Sequence, residues 1–92
     1  HDISVRLHTD LAEARRRIPP TVGTLTEVTD GVRLTARVER LAGAAQMLAG
    51  LGWPFTIERP DELRDQVRLL ATRLLTHIDT GDHHSHRDRP GA

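Results

Sequence analysis

The chain has 92 residues, which is enough for one small domain with a single hydrophobic core. It has no cysteine, which excludes disulfide bonds, thiol catalysis and thiolate metal sites. Its 13 basic and 13 acidic side chains give a formal net charge of zero, whereas nucleic-acid-binding domains usually carry excess positive charge. No apolar run approaches the roughly 18 residues of a membrane span, and no signal peptide is visible, so we expect a cytoplasmic protein.

The N-terminal part predicts a strand followed by a short helix. Residues 1–8 alternate between apolar and polar side chains, as in a strand with one buried face. Asp10 is placed to cap a helix, with Glu13 three residues later as in a capping box. We expect the helix to end before Pro19, because proline cannot donate a backbone hydrogen bond and disfavours helix in the residue before it.

Residues 21–39 predict a β-hairpin whose second strand alternates clearly from Val32 to Val38. A loop of residues 29–31 with Gly31 in the left-handed region would place Val28 opposite Val32. A two-residue turn at Asp30 and Gly31 would instead oppose Glu27 to Leu34. We favour the longer loop because it pairs apolar with apolar side chains, although the first strand is weakly patterned.

The C-terminal part predicts a helix, a short strand and a longer helix. Residues 40–51 have a helical apolar pattern and are followed by Gly52, a common left-handed helix stop. Residues 53–58 predict a short strand, and Pro54 must lie on a sheet edge or among the first residues of the strand. A third helix begins at Pro60 and Asp61, has the strongest apolar stripe of the chain, and should end at Gly81. Residues 81–92 have no apolar periodicity, and we expect a disordered tail rich in His and Arg.

The order strand, helix, strand, strand, helix, strand, helix predicts an α+β fold. The first six elements have the split βαβ arrangement of a ferredoxin-like domain, βαββαβ, here with an additional C-terminal helix. We therefore expect a four-stranded antiparallel sheet with helices on one face, formed by residues 1–80. In this topology the first and third strands are central.

A family resemblance covers residues 3 to about 79. The Asp30-Gly31 turn, the helix of residues 41–48, the Gly52 stop and the helix start at residues 59–64, Arg-Pro-Asp-Glu-Leu-Arg, follow one another as in a known domain. In element order and length the chain resembles the C-terminal extension domain of WYL-domain-containing (DeoR/YafY-like) bacterial transcriptional regulators. Because the chain starts at His1 and not at a Met, we expect a fragment of a longer protein without the winged helix and WYL domain that precede this extension in the family.

The resemblance implies a regulatory and dimerisation domain that does not read DNA itself. Its expected partners are the upstream WYL domain and a second protomer, with DNA bound only through the absent N-terminal domain. The alternative is a stand-alone ACT-like sensor of small molecules, which has the same fold and pairs edge to edge. A sensor should gain melting temperature with its ligand, whereas an assembly domain should respond to protein concentration.

Arginine side chains provide the main candidates for a binding site. By strand alternation Arg6, Arg33 and Arg37 lie on the uncovered sheet face, with His8 beside them. Guanidinium groups bind phosphate or carboxylate in a bidentate manner and are frequent in protein interfaces. Three interpretations remain: a solvated face paired with Glu27 and Glu39, a protein contact, or a site for a small anionic or nucleotide effector.

Other polar clusters are interpreted as structural. Residues 15–17 are three arginines that suit a solvated helix end better than a nucleic-acid contact. A histidine tract is a weak metal candidate within the expected tail, so we predict no metal site and no cofactor; its members are His83, His84 and His86. Trp53 and Phe55 should turn towards the core and anchor their strand.

Catalysis is not expected. The sequence has no recognisable motif of a Ser-His-Asp triad, no zinc-protease motif and no glycine-rich phosphate loop. It also contains no asparagine, which an acylphosphatase-like site on this fold would require. An RNA-recognition domain shares the strand order but stacks bases on aromatic side chains, and the open face here offers none. We therefore predict that the chain is not an enzyme.

Overall fold

The structure is a computed structural model that describes residues 1–88, with side chains described for residues 1–78. The elements are β1 (Asp2–Leu7), α1 (Leu11–Arg17), β2 (Thr24–Val28), β3 (Gly31–Arg37), α2 (Leu41–Leu51), β4 (Phe55–Arg59) and α3 (Asp61–Asp88). The strands form one antiparallel sheet in the order β2-β3-β1-β4. The predicted α+β, ferredoxin-like fold is confirmed, with β1 and β3 at the centre.

The hydrophobic core lies between one face of the sheet and the helices. Alternate residues of the central strands point into it and are almost completely buried: Ile3, Val5, Leu7, Val32 and Leu34. The helices add apolar residues from their inner sides, among them Ala14, Leu48 and Leu63, which are also buried. This packing leaves the opposite face of the sheet uncovered. Within the described residues no helix is both long and apolar enough to cross a membrane.

The first helix begins and ends where the sequence predicts. Asp10 accepts a hydrogen bond of 2.8 Å from the backbone N–H of Glu13, which satisfies one of the unpaired donors at the helix start. Ile18 follows the last helical residue and is buried in the core directly before Pro19. The cap and the proline therefore set the two ends of α1.

The hairpin register differs from both predicted alternatives. Val28 lies opposite Gly31 and Leu25 opposite Leu34, so the loop contains only Thr29 and Asp30. Gly31 is the first residue of β3, with φ of 145°, and a Cβ there would collide with the carbonyl oxygen of Leu7. Close packing of the hairpin end on β1 thus requires glycine inside the strand, and Leu25 then faces Leu34. Neither constraint is visible in the weak pattern of β2.

The segment between α2 and β4 agrees with its prediction. Gly52 ends α2 in the left-handed conformation, with φ of 89°. Pro54 precedes β4, which is an edge strand. Trp53 and Phe55 are partly buried against the core, as predicted, and the guanidinium of Arg17 lies 5.7 Å from the centre of the Trp53 ring.

Helix α3 is longer than predicted. It continues through Gly81 to Asp88, so the predicted end at Gly81 and the predicted irregular segment from residue 81 are wrong as far as residue 88. A glycine inside a helix costs about 1 kcal/mol relative to alanine, which weakens a helix without necessarily ending it. Residues 89–92, the rest of the predicted tail, are outside the described residues.

Candidate binding surfaces

The uncovered face of the sheet, called here the open sheet face, carries the predicted arginines. Strand pairing places Arg6 directly opposite Arg33, Ser4 opposite Thr35, and Asp2 opposite Arg37. The edge strands contribute further polar side chains to the same face, namely Thr24, Thr26, Thr56 and Glu58. The result is a polar surface in which two guanidinium groups meet at the centre.

Glu58 organises the centre of the open sheet face. Arg33 donates two hydrogen bonds to its carboxylate, from Nε at 2.8 Å and from Nη2 at 3.1 Å. Ser4 donates a third, from Oγ at 2.8 Å, and is itself buried. Because a forked guanidinium and a carboxylate match in shape, this pair holds Arg33 in one orientation.

The environment of Glu58 favours its ionised form. The hydrogen bonds from Arg33 and then Ser4, followed by the positive charges of Arg33 and Arg6, lower the pKa of Glu58 to about 2 against partial burial, which acts the other way. The same hydrogen bond and charge raise the pKa of Arg33. Glu58 therefore stays negatively charged at neutral pH.

Arg6 differs from Arg33 because it has no carboxylate partner among the described residues. Its Nε atom is buried and makes no hydrogen bond within the described part of the chain. A buried guanidinium nitrogen without a partner is unusual and costs stability. Arg6 is therefore an arginine of the open sheet face whose charge no described carboxylate contacts directly.

The other two predicted side chains lie towards opposite ends of the open sheet face. Arg37 contacts Asp2 at 3.2 Å, and both side chains are largely exposed. The Nε2 atom of His8 lies 2.9 Å from the hydroxyl of Thr56. The structure thus brings Arg6 and Arg33 together and leaves Arg37 and His8 at the periphery.

The predicted acidic partners of these arginines are wrong. Glu27 lies opposite Val32, on the helix-covered side of the sheet, because the hairpin register differs from prediction. Neither Glu27 nor Glu39 forms an ion pair among the described residues, whereas Glu58 and Asp2 do. Alternation in β4 contains the missed signal, since an inward Phe55 and Ile57 place Thr56 and Glu58 on the open sheet face.

A second candidate surface lies on α3. The apolar stripe of α3 begins with the fully buried Leu63 and continues through Val67 and Leu70, which pack against the core. Further along, large apolar side chains are about half exposed; we call them the α3 overhang, and they are Leu74, Leu75 and Ile78. The overhang arises because α3 has 28 residues whereas its neighbour α2 has 11.

The sequence matches the family model of the WCX domain over residues 1–75. This chain belongs to the WCX domain family. The WCX domain is the C-terminal domain of WYL-containing transcriptional regulators, so the resemblance identified from the sequence is confirmed. Comparisons with curated proteins and with solved structures give no match.

The other candidate side chains named from the sequence, the arginines of residues 15–17 and the histidine tract, lie at separate places in this WCX domain. Arg16 pairs with Glu13, Arg17 lies over Trp53, and Arg15 borders a groove beside β2. The side chains of His83, His84 and His86 are outside the described residues. Among the described residues, no cluster of three or more His, Asp or Glu side chains is placed to hold a metal ion.

Proposed function

We propose that this WCX domain is the regulatory and dimerisation domain of a cytoplasmic, DNA-binding transcriptional regulator of the WYL type. The family match over residues 1–75 carries the proposal. DNA reading and most effector contacts are assigned to domains upstream, in keeping with the zero net charge of the chain. The regulatory role is exerted through packing against those domains.

The α3 overhang supports a docking role. Three large apolar side chains within five residues of one helix are about half exposed, and they continue the stripe that packs in the core. Contiguous exposed apolar surface usually marks a protein contact. In the proposal the overhang packs on the upstream WYL domain or on the second protomer, and a signal sensed upstream shifts this packing and repositions the DNA-binding domains.

Absence of catalysis is part of the same proposal. A general acid or base works best with a pKa near the operating pH. The pKa of Glu58 is instead shifted away from neutral pH, because hydrogen bonds from Arg33 and Ser4 stabilise the ionised carboxylate. This carboxylate therefore supports structure and charge balance better than proton transfer.

The test is made in the intact regulator with Leu74→Glu and Ile78→Glu combined. We expect the charges to disrupt docking, and thus to change DNA affinity, measured by fluorescence anisotropy, together with the mass measured by sedimentation. Thr76→Glu is the matched control, because Thr76 is exposed and lies on nearly the opposite side of α3. Unchanged mass and DNA affinity in the double variant would contradict a docking role.

A second candidate function is sensing of a small anionic or nucleotide effector on the open sheet face, as in an ACT-like sensor. Arg6 favours it, because this side chain lies opposite Arg33 and forms no ion pair among the described residues. Phosphate at about 10 mM should then raise the melting temperature of the 92-residue chain, because binding only the folded state stabilises it. Arg6→Gln should abolish this rise and Arg37→Gln should retain it; equal rises in both variants would exclude the site.

A further inference from the structure

The two edges of the sheet differ in how they are protected. The β4 edge is flanked by Pro54 and Pro60, and Arg64 donates a hydrogen bond of 2.6 Å from Nη2 to the backbone carbonyl of Ile57. Prolines and charged side chains along an edge strand hinder pairing with another strand. The β4 edge is therefore poorly suited to extend the sheet.

The β2 edge has fewer of these protections, because the strand contains no proline and only one charged residue. Its sequence, Thr-Leu-Thr-Glu-Val, is rich in residues that favour strands and contains no proline. The strand is outermost in the sheet, so its free side presents backbone N–H and C=O groups that no strand of the described residues pairs with. Glu27, its one charged residue, is exposed and forms no ion pair within the described part of the chain.

A groove runs beside this edge on the helix-covered side of the sheet. It has a volume of about 260 Å³ and is lined by Arg15, Ile18, Pro20, Gly23 and Leu25. Arg15 is exposed and also forms no ion pair among the described residues. An unpaired acid on the strand and an unpaired base at the groove thus flank the same edge.

We propose that β2 pairs with β2 of a second copy of this chain, antiparallel about a two-fold axis at Thr26. The pairing joins the two sheets into one continuous sheet. The inference rests on the dimerisation role proposed above and names its surface. It applies to the isolated chain and to the intact regulator alike.

The register follows from the faces of β2. In an antiparallel pair, residues directly opposite each other point to the same face of the sheet. Leu25 and Glu27 share one face, so each of them must lie opposite Leu25 or Glu27 of the second copy. With the two-fold axis at Glu27, the two Glu27 carboxylates would lie opposite each other. With the axis at Leu25, Val28 would lie beyond the end of the partner's β2. A centre at Thr26 aligns the two strands over their full length and opposes Leu25 to Glu27.

The Thr26 register also provides charge complementarity. Glu27 of one copy then lies beside Leu25 of the other, at the groove that Arg15 borders. The two-fold axis makes this contact twice, so each copy supplies one acid and one base. Complementary charges of this kind set register and disfavour other pairings.

Sedimentation equilibrium of the 92-residue chain, from about 10 μM to about 1 mM, tests the charge contact. We expect Glu27→Arg and Arg15→Glu to weaken self-association at least about tenfold each, and the double swap to restore it. Glu62→Arg and Arg73→Glu are matched controls, because both residues are exposed and lie on α3, which packs beside β4 at the other edge of the sheet. Single variants that associate normally, or a double swap that fails to restore association, would overturn the inference.

A cysteine cross-link tests the register independently, because the natural chain contains no cysteine. Thr26→Cys should give a disulfide-linked dimer under mild oxidation, since the two Cβ atoms at the axis would lie about 5 Å apart. Thr56→Cys, an exposed threonine on the protected β4 edge, should stay monomeric. Equal cross-linking of the two variants would contradict pairing through β2.

The outcomes separate this inference from the proposed function. If Leu74→Glu/Ile78→Glu abolishes self-association and the variants at Glu27 and Arg15 do not, the domain dimerises through the α3 overhang and not through β2. A chain that is monomeric at every concentration would overturn both the β2 pairing and dimerisation by this domain.

Discussion

The two faces of the sheet show how one set of strands supports two kinds of chemistry. On the covered face, alternate residues of β1 and β3 are almost completely buried and apolar. On the open sheet face, the intervening residues form a polar group in which Arg33, Ser4 and Glu58 are hydrogen-bonded, whereas Nε of Arg6 has no partner among the described residues. Stability should therefore depend mainly on the first face, whereas binding depends on groups that the second face leaves unpaired.

The largest expected loss of stability comes from a substitution on the covered face of the sheet. Leu34→Ala removes a fully buried side chain from the centre of the core, and the cavity left behind adds to the lost burial. We expect the free energy of unfolding to fall by about 2–5 kcal/mol, measured by urea denaturation. Thr35→Ala, on the neighbouring position of the open sheet face, should cost far less, and similar losses at both positions would contradict the contrast.

The hairpin end that positions both faces is the next most sensitive point. Gly31→Ala would place a Cβ against the carbonyl oxygen of Leu7, in a backbone conformation that alanine rarely adopts. We expect a loss of about 2 kcal/mol of unfolding free energy. Gly50→Ala is the control, because a Cβ at Gly50 meets no atom within 4 Å and the helical position favours alanine.

A smaller effect is expected at the central ion pair of the open sheet face. Glu58→Gln removes the negative charge that Arg33 and Ser4 contact, and it leaves two arginines opposite each other. We expect a loss of about 1 kcal/mol at neutral pH, as for other part-exposed ion pairs. Glu39→Gln, which removes an exposed carboxylate without an ion pair in the described structure, should have almost no effect.

The pH dependence of stability sharpens this prediction. The pKa of Glu58 is lowered from 4.5 to about 2 in the folded chain, so folding favours its ionised form. Its contribution is complete above pH 4.5 and is lost as the pH falls towards 2. The stability difference between the natural chain and Glu58→Gln should therefore shrink over this interval, and a constant difference would show that the charge is not responsible.

The smallest effect is expected at the periphery of the open sheet face. Arg37 and Asp2 form a largely exposed pair, and such pairs contribute little because water screens them and the side chains lose freedom. Arg37→Ser should change the unfolding free energy by less than about 0.5 kcal/mol. A thermal melt checks this, and a loss as large as that of Glu58→Gln would place Arg37 within the central cluster.

Much of the architecture could be predicted from local signals. The Asp10 cap, the left-handed Gly52 and the alternation in β1 and β3 each have a cause within a few residues, and each is confirmed. The central position of β1 and β3 followed from element order alone. The location of Arg6 and Arg33 on one face followed from side-chain alternation.

Contacts between distant segments were beyond such reasoning. The partner of Arg33 is Glu58, 25 residues away, because β1 lies between β3 and β4 and the hydroxyl of Ser4 bridges towards the same carboxylate. The hairpin register depends on the approach of Gly31 to Leu7, which no pattern within β2 encodes. Glu27 was therefore assigned to the wrong face.

Sequence by itself determined which residues of β1 and β3 face the core, where most helices and strands begin and end, and the family to which the domain belongs. Periodicity and caps are local, so they are readable without a fold. Only the tertiary structure decided which charges meet, which sheet edge is less protected, and where α3 extends beyond the core. These properties depend on distances between residues far apart in the chain, and only the packed fold sets those distances.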